Sequence, residues 1–194
     1  MIRKYQPKKI IEIGSGASTL LSMNALQKNS EMNTNQGTIT AIEPYPKEYL
    51  EKCLSDGNKL IKEKIENVPL SEFEQLEEND ILFIDSSHTI KVNNDVLYEI
   101  LEILPRLKKG VLIHIHDIFL PLPYPKKMVK DRHIFWTEQY LVQAFLAYNN
   151  FFEVIWSGAA LKFYEPEKLK SSFRDQFTEN PDFIPGSIWI RKCQ

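Results

Sequence analysis

Two cysteines, Cys53 and Cys193, are too few for a disulfide framework in a chain of 194 residues and point to a reducing, cytoplasmic setting. No apolar run approaches the roughly 20 residues that a bilayer-spanning helix needs. The basic start MIRKYQPKK leads into an apolar segment broken by Glu12, which is not the pattern of a secretory leader. Charge of one sign is also missing: 24 Lys and Arg face 26 Asp and Glu, for a formal net charge of −2. Neither nucleic acid nor an anionic membrane is therefore expected as a partner. The short basic clusters at Lys126-Lys127 and Lys168 to Lys170 read as solvated surface. There is no internal repeat and no low-complexity tract. With 43% hydrophobic and 26% charged residues, the composition is that of a globular domain able to bury its own core.

What is present alternates. Short apolar runs separate helical patterns through the first two thirds of the chain, as in a parallel α/β sheet covered on both faces. KIIEIG (Lys9–Gly14), TITAIE (Thr38–Glu43), DILFID (Asp80–Asp85) and GVLIHIHD (Gly110–Asp117) read as strands, with a weaker one at Leu60–Asn67. Helices are expected at Ser18–Leu26, from Pro46 toward Gly57, at SEFEQL and over Val92–Leu104. In the last of these Val96, Ile100, Leu101 and Leu104 recur at helical spacing and Pro105 closes the run. Gln27–Gly37 reads as a polar loop. Ile118–Arg132 carries three prolines and is expected to lack regular structure; a loop of that length suits a lid. Trp136–Tyr148 is helical. Phe152–Ser157 and Ser187–Lys192 are expected to pair antiparallel at one edge, since no strong crossover helix separates them.

The stretch EIGSGAST ends a strand and opens a helix. Gly14 and Gly16 open that helix; glycine permits positive φ and close backbone approach to a ligand, and the helix start offers unpaired N–H groups to an anion. Glu43 ends the second strand, where a carboxylate can accept both hydroxyls of a ribose. A nicotinamide dinucleotide would use similar groups, but Thr19 stands where G-x-G-x-x-G needs its third glycine. Asp85, Ser86 and His88 leave the fourth strand, and His114, His116 and Asp117 leave the fifth. In an open α/β sheet ligands sit beyond the carboxyl ends of the strands, so both polar groups are expected at one cleft. Strand alternation would send His114 and His116 to one side and Asp117 to the other. His114, the deepest, reads as a hydrogen-bonded core histidine.

The blocks IIEIGSGAST, AIEPYP, DILFIDSSH, EILPRLKKGVLIHIHDIFLPLPYP, WTEQYLVQAFLAYN and GSIWIRK together resemble the class I S-adenosylmethionine-dependent methyltransferases. Within them the chain is most similar to methyltransferase family 24, which includes small-molecule and sugar O-methyltransferases. The resemblance implies a Rossmann-like α/β fold with a seven-stranded, mostly parallel sheet in order 3-2-1-4-5-7-6. Strand seven would be antiparallel and helices would lie on both faces. Residues 1–194 would form a single domain, without the upstream cap helices usual in the family.

For the cofactor, the resemblance implies that Glu12, Gly14, Ser15, Gly16 and Ser18 hold the methionine end, and that Glu43, beside Pro44, binds the ribose. The region around Asn67 and Val68 would contact adenine, and Asp85 and Ser86 would face the transfer centre. Catalysis is expected from Asp85, His88, His116 and Asp117, through a histidine base or a divalent metal, magnesium or manganese. Metal-dependent relatives of the catechol type use an Asp after strand four and an Asp-Asn pair after strand five. Asp85 and Asp117 match those aspartates, and Ile118 takes the place of the Asn. Glu138 and Gln139 are placed within reach of the cleft by the same resemblance. The acceptor would be a small molecule or a glycan, and a homo-oligomer remains open. Competing readings are a non-catalytic cofactor-binding or interaction module and, less favoured, an NAD-dependent oxidoreductase.

Overall fold

The central strands of this chain are rich in Ile and Leu, which is what burial on both faces requires. The computed structural model describes residues 1–32, 36–54, 57–180 and 183–194. Among them a seven-stranded sheet has the order β3-β2-β1-β4-β5-β7-β6. Its strands are β1 (Lys9–Ile13), β2 (Thr38–Ile42), β3 (Lys59–Ile61), β4 (Ile81–Ile84), β5 (Leu112–His116), β6 (Phe152–Ser157) and β7 (Ser187–Lys192). The first five pair in parallel, and β7 runs antiparallel to both β5 and β6. This is the order and the antiparallel edge that the family resemblance implied.

Alternation along the strands splits the core between the two faces. Ile10, Ile39, Ile81 and Leu112 pack on one side, under α1 (Ile2–Tyr5) and α2 (Ala17–Met32). Ile11, Ile13, Leu82, Ile84, Ile113 and Ile115 pack on the other, where α5 (Asp95–Leu97), the π-helical turn Tyr98–Ile103, α6 (Leu104–Arg106) and α8 (Glu138–Leu146) cover them. Short helices α3 (Glu48–Cys53) and α4 (Ser71–Glu74) fill the crossovers. No helix among the described residues is long and apolar enough to cross a membrane.

Several elements differ from the sequence reading. Residues 27–32 continue α2 as helix rather than opening a loop, held by Leu26 and Asn29, which are both buried; residues 33–35 of that expected loop lie outside the described residues. The third strand ends at Ile61, and Ile65–Asn67 form a 3₁₀ turn. Pro46 precedes α3, whose first residue is Glu48, and the helix stops at Cys53. Leu101 is half exposed while Val96, Ile100 and Leu104 are enclosed. Pro105 does not end the helix: it sits in the first turn of α6, where a missing N–H is tolerated because the preceding π turn has already shifted the hydrogen-bond pattern. The proline-rich segment contains a helix, α7 (Lys126–Lys130), begun directly after Pro125. Between β6 and β7 the chain forms α9 (Gly158–Tyr164), α10 (Pro166–Ser172) and α11 (Arg174–Glu179), each too short to show a helical period.

The lower edge of the sheet is held by Asp80, which is 3% exposed. Its Oδ1 accepts the backbone N–H groups of Lys8 (3.0 Å) and Lys9 (2.9 Å), and its Oδ2 accepts that of Glu77 (2.9 Å). Substitution Asp80→Ala would orphan three donors at about 1–3 kcal/mol each when water cannot replace the carboxylate. We expect a loss of about 3 kcal/mol in urea unfolding, with Asp80→Asn losing less. A loss below about 1 kcal/mol would show that solvent takes over these bonds.

Candidate active site

The turn after β1 dictates the geometry. Gly14 has φ +81°, and a Cβ on it would collide with the backbone carbonyl oxygen of Asp85. Its N–H donates to Ile42 O at 3.0 Å, and Asp85 N donates to Ile13 O at 2.9 Å. The ends of β1, β2 and β4 are thus tied together at this residue. A Cβ on Gly16 would instead meet nothing within 4 Å, leaving open space beside the start of α2. Thr19, in the third-glycine position, uses its hydroxyl to accept the Gly16 N–H at 3.0 Å. One otherwise unpaired donor of the helix start is satisfied within the chain.

Glu12 lies beneath this turn, fully enclosed. The Ser18 hydroxyl donates to Glu12 Oε1 at 2.6 Å, while Glu12 Oε2 and Ser15 Oγ have no hydrogen-bond partner among the described residues. Burial pushes the Glu12 carboxyl up to about 7, against the downward pull of the Ser18 and Thr19 hydroxyls.

Two clefts open on either side of the turn. The first, of ≈ 400 Å³, is walled by Gly14, Glu43, Pro44, Asp85 and Ser86, a volume within the range of about 300–1,000 Å³ for small-molecule sites. It also takes in Glu63, Glu66 and Asp95, so that five carboxylates face two lysines, Lys64 and Lys91. Glu43 Oε1 accepts the Tyr45 N–H at 2.9 Å. The wall expected from Asn67 and Val68 comes from residues 63–66. Asn67 turns its amide to Glu63 (3.2 Å), and Val68 is buried with its carbonyl taken by the Tyr98 hydroxyl (3.0 Å). The second cleft, of ≈ 530 Å³, is lined by Ser15, Gly16, Ser18, Phe83, Asp85 and His116. Asp85 is the wall common to both. Glu12 lines neither.

Behind Asp85 stands a dense polar cluster. His88 Nε2 lies 3.4 Å from Asp85 Oδ1 and 3.7 Å from Asp117 Oδ2; His116 Nδ1 lies 3.5 Å from Asp85 Oδ1 and 3.4 Å from Asp117 Oδ1. The four residues expected at the catalytic centre are therefore brought together. Alternation alone would have separated Asp117 from His116. The backbone at Asp117 is left-handed (φ +55°), as it is at His88 (φ +58°), which swings both side chains inward at a cost of about 1–3 kcal/mol each. His114 stays in the sheet between Phe83 and Trp189, its Nε2 paired with Ser187 Oγ at 2.6 Å. Burial, with His116 nearby, drives it down to about 3, so it is neutral.

Glu138 takes a direct part in this cluster. His88 Nδ1–H donates to Glu138 Oε2 at 2.8 Å, with the Glu138 side chain 1% exposed. The backbone N–H groups of Thr137 and Glu138 donate to His88 O, and the Trp136 ring covers the imidazole at 4.2 Å. Burial opposes protonation of His88, but Asp85 and then Glu138 outweigh it and raise the imidazole to about 10. For Asp85 the same histidines overcome burial and hold the carboxyl below its ordinary value. His116 is raised chiefly by Asp117, against burial. A second enclosed acid, Glu99 on the π turn, accepts the Ser86 hydroxyl at 2.9 Å and is pushed well up by burial and by Glu138. Glu99 was legible in principle: it interrupts the buried stripe of Val96, Ile100 and Ile103.

A family model described as a methyltransferase domain matches residues 11–118, more than half of the chain. A protein of Archaeoglobus fulgidus, described only as uncharacterized, is 40% identical over 79 residues. That match covers 40% of this chain and spans 34% of the relative's length. The solved structure of the plantazolicin methyltransferase BpumL in complex with SAH is similar with a TM-score of 0.54, at 16% identity over 99% of this chain and 80% of that one. At that identity the likeness is one of fold. A SAM-dependent methyltransferase from Archaeoglobus fulgidus gives a TM-score of 0.46, at 13% identity over 98% and 90% of the two chains.

Glu12 makes stability depend on pH with a definite sign. Its folded value of about 7 lies above the ordinary 4.5, so its contribution is complete below pH 4.5 and declines as pH rises through 7. The decline amounts to about 3 kcal/mol. Glu12→Gln keeps an acceptor for Ser18 and should remove this slope from the difference between variant and wild-type unfolding curves. Parallel pH profiles for the two proteins would refute the shift.

Proposed function

The chain belongs to the methyltransferase-domain family of S-adenosylmethionine-dependent enzymes, and on that premise we propose that it methylates a hydroxyl of a small molecule or glycan. The observation that carries the reading is the position of Asp85, the shared wall of an acid-rich cleft of nucleoside size and of a second cleft holding His116. The acid-rich cleft suits a sulfonium nucleoside and offers no arginine to a pyrophosphate, which disfavours a dinucleotide. Glu43 would take the ribose hydroxyls, Gly14 and Ser86 would flank the sulfur end, and Ser15 with the start of α2 would meet the methionine carboxylate. Glu12 acts from beneath, fixing Ser18. When bound, S-adenosylmethionine supplies an electrophilic methyl group; the chain must orient the acceptor and dispose of its proton.

His88 is unsuited to remove that proton. With a value near 10 it is an imidazolium at neutral pH, and its work is to keep Asp85 ionised and to fix Asp117. His116 is the better base: it lines the second cleft, its side chain is 42% exposed, and Asp117 would stabilise the charge it gains. A second reading uses a divalent metal. Two carboxylates and two imidazoles converge, and His116 Nδ1 is buried without a hydrogen-bond partner among the described residues. His88, backed by Glu138, resembles a ligand oriented by an outer carboxylate. Ile118, fully buried, supplies no oxygen, so the donors Asp85, Asp117, His88 and His116 would favour manganese over magnesium. Among the described residues no three such side chains already stand in an ion-holding arrangement, which ranks this reading second.

Calorimetry with S-adenosylmethionine and S-adenosylhomocysteine tests the premise. Wild type should bind both, and Glu43→Ala should bind about 10- to 100-fold more weakly through loss of charged hydrogen bonds to the ribose. No binding at millimolar ligand would remove the reading. A methyl-transfer screen over hydroxylated sugars and phenols then separates an enzyme from a binding module. On any acceptor found, His116→Gln should lower kcat by about 10²–10⁴ with little change in KM. Insensitivity to chelator would support the histidine route; loss of activity on chelation, restored better by Mn²⁺ than by Mg²⁺, would support the metal.

A further inference from the structure

Lys126 and Lys127, read from sequence as solvated surface, line a cleft of ≈ 570 Å³ together with Arg132 and Lys162. The four cations come from α7, from the loop after it and from α9. Two stretches distant in sequence, residues 126–132 and α9, thus bring cations to one hollow, which a charged helix face alone would not produce. Among the described residues no carboxylate lines it. Lys126, Lys127 and Arg132 form no ion pair with any described residue, and Lys162 Nζ donates to Phe183 O at 2.9 Å. In a chain of net charge −2, the like charges of Lys126, Lys127 and Arg132 around one hollow repel each other unless an anion joins them. The floor is apolar, from Phe119 and Met128.

This cleft adjoins the candidate active site. Gly186 marks the contact: the point a Cβ would occupy there is 2.7 Å from Phe119 Cζ and 3.0 Å from Asp117 Oδ1. Asp117 N also donates to Gly186 O at 2.7 Å. The Phe119 ring that floors the basic cleft and the carboxylate beside His116 are therefore separated by one glycine. Charge is polarised across the site, with carboxylates around the nucleoside cleft and cations beyond Asp117.

We propose that the basic cleft binds the acid group, phosphate or carboxylate, of the methyl acceptor, while an apolar or sugar portion lies on Phe119 and Met128 and directs a hydroxyl toward Asp117 and His116. The word acceptor rests on the methyl-transfer reading; the anion site rests on the cleft alone.

Titration calorimetry of the full chain at low ionic strength tests it, with inorganic pyrophosphate, citrate and neutral glucose as probes. Wild type should bind pyrophosphate or citrate and not glucose, and the stronger of the two identifies phosphate or carboxylate as the preferred group. The double reversal K126E/K127E, and separately R132E, should weaken anion binding on the order of tenfold or more. K28E/K52E, on α2 and α3 and outside the cleft, controls for net charge and should bind as wild type. Glucose binding as well as the anions, unchanged affinity in K126E/K127E, or an equal loss in the control would each overturn the proposal. So would binding of heparin with no response to the small probes. S-adenosylmethionine is titrated in parallel: its failure to bind wild type would sink the methyltransferase reading and leave the anion result intact, whereas normal cofactor binding without anion binding would sink this proposal alone.

Discussion

The close approach of two strand ends governs the molecule. At Gly14 the backbone after β1 passes so near the Asp85 carbonyl that no side chain fits between them, and only a residue at ease with φ +81° can turn there. The two hydrogen bonds that close this junction fix where β4 ends and therefore where Asp85 stands. From that position Asp85 faces both clefts and meets both imidazoles. A side chain at residue 14 would push β4 away and move the site's central carboxylate with it.

Around this junction the chain concentrates ionisable groups that an ordinary core excludes. Glu12, Glu99 and Glu138 are enclosed almost completely, and each would be costly as an isolated charge. The molecule answers in two ways. Glu12 and Glu99 are pushed toward their neutral forms and accept one hydroxyl each, from Ser18 and Ser86. Glu138 is paired with a histidine that it helps keep protonated. Cations and carboxylates are then sorted in space: the acids gather toward the nucleoside cleft, and the lysines and arginine that a net charge near zero conceals gather beyond Asp117. Net charge is a sum over the surface and carries no information about such sorting.

Much of the fold was legible because it depends on local pattern. Buried parallel strands must be apolar on both faces, so β1, β2, β4 and β5 show as runs, and the glycine turn shows as a break between strand and helix. The short elements were not legible. α7 and the helices of residues 158–179 are too brief for a period to emerge, and Pro105 reads as a helix stop unless the π turn before it is known. In the site, Asp85, His88, His116 and Asp117 stood out as ionisable groups at the ends of apolar strands, whereas the face taken by Asp117 did not, since alternation fails once the backbone turns left-handed.

By itself the sequence determined the strands, the glycine turn and the chemical types available at the strand ends, because each follows from neighbouring residues and the intrinsic limits of the backbone. The tertiary structure alone decided which of those groups meet. Glu138 reaches His88 across 50 residues of chain, Gly186 brings the β7 approach against Asp117, and Lys162 joins Lys126, Lys127 and Arg132 around one hollow. Such meetings depend on how the last third of the chain folds back over the sheet, and a pairing between distant segments leaves no period or motif in either one.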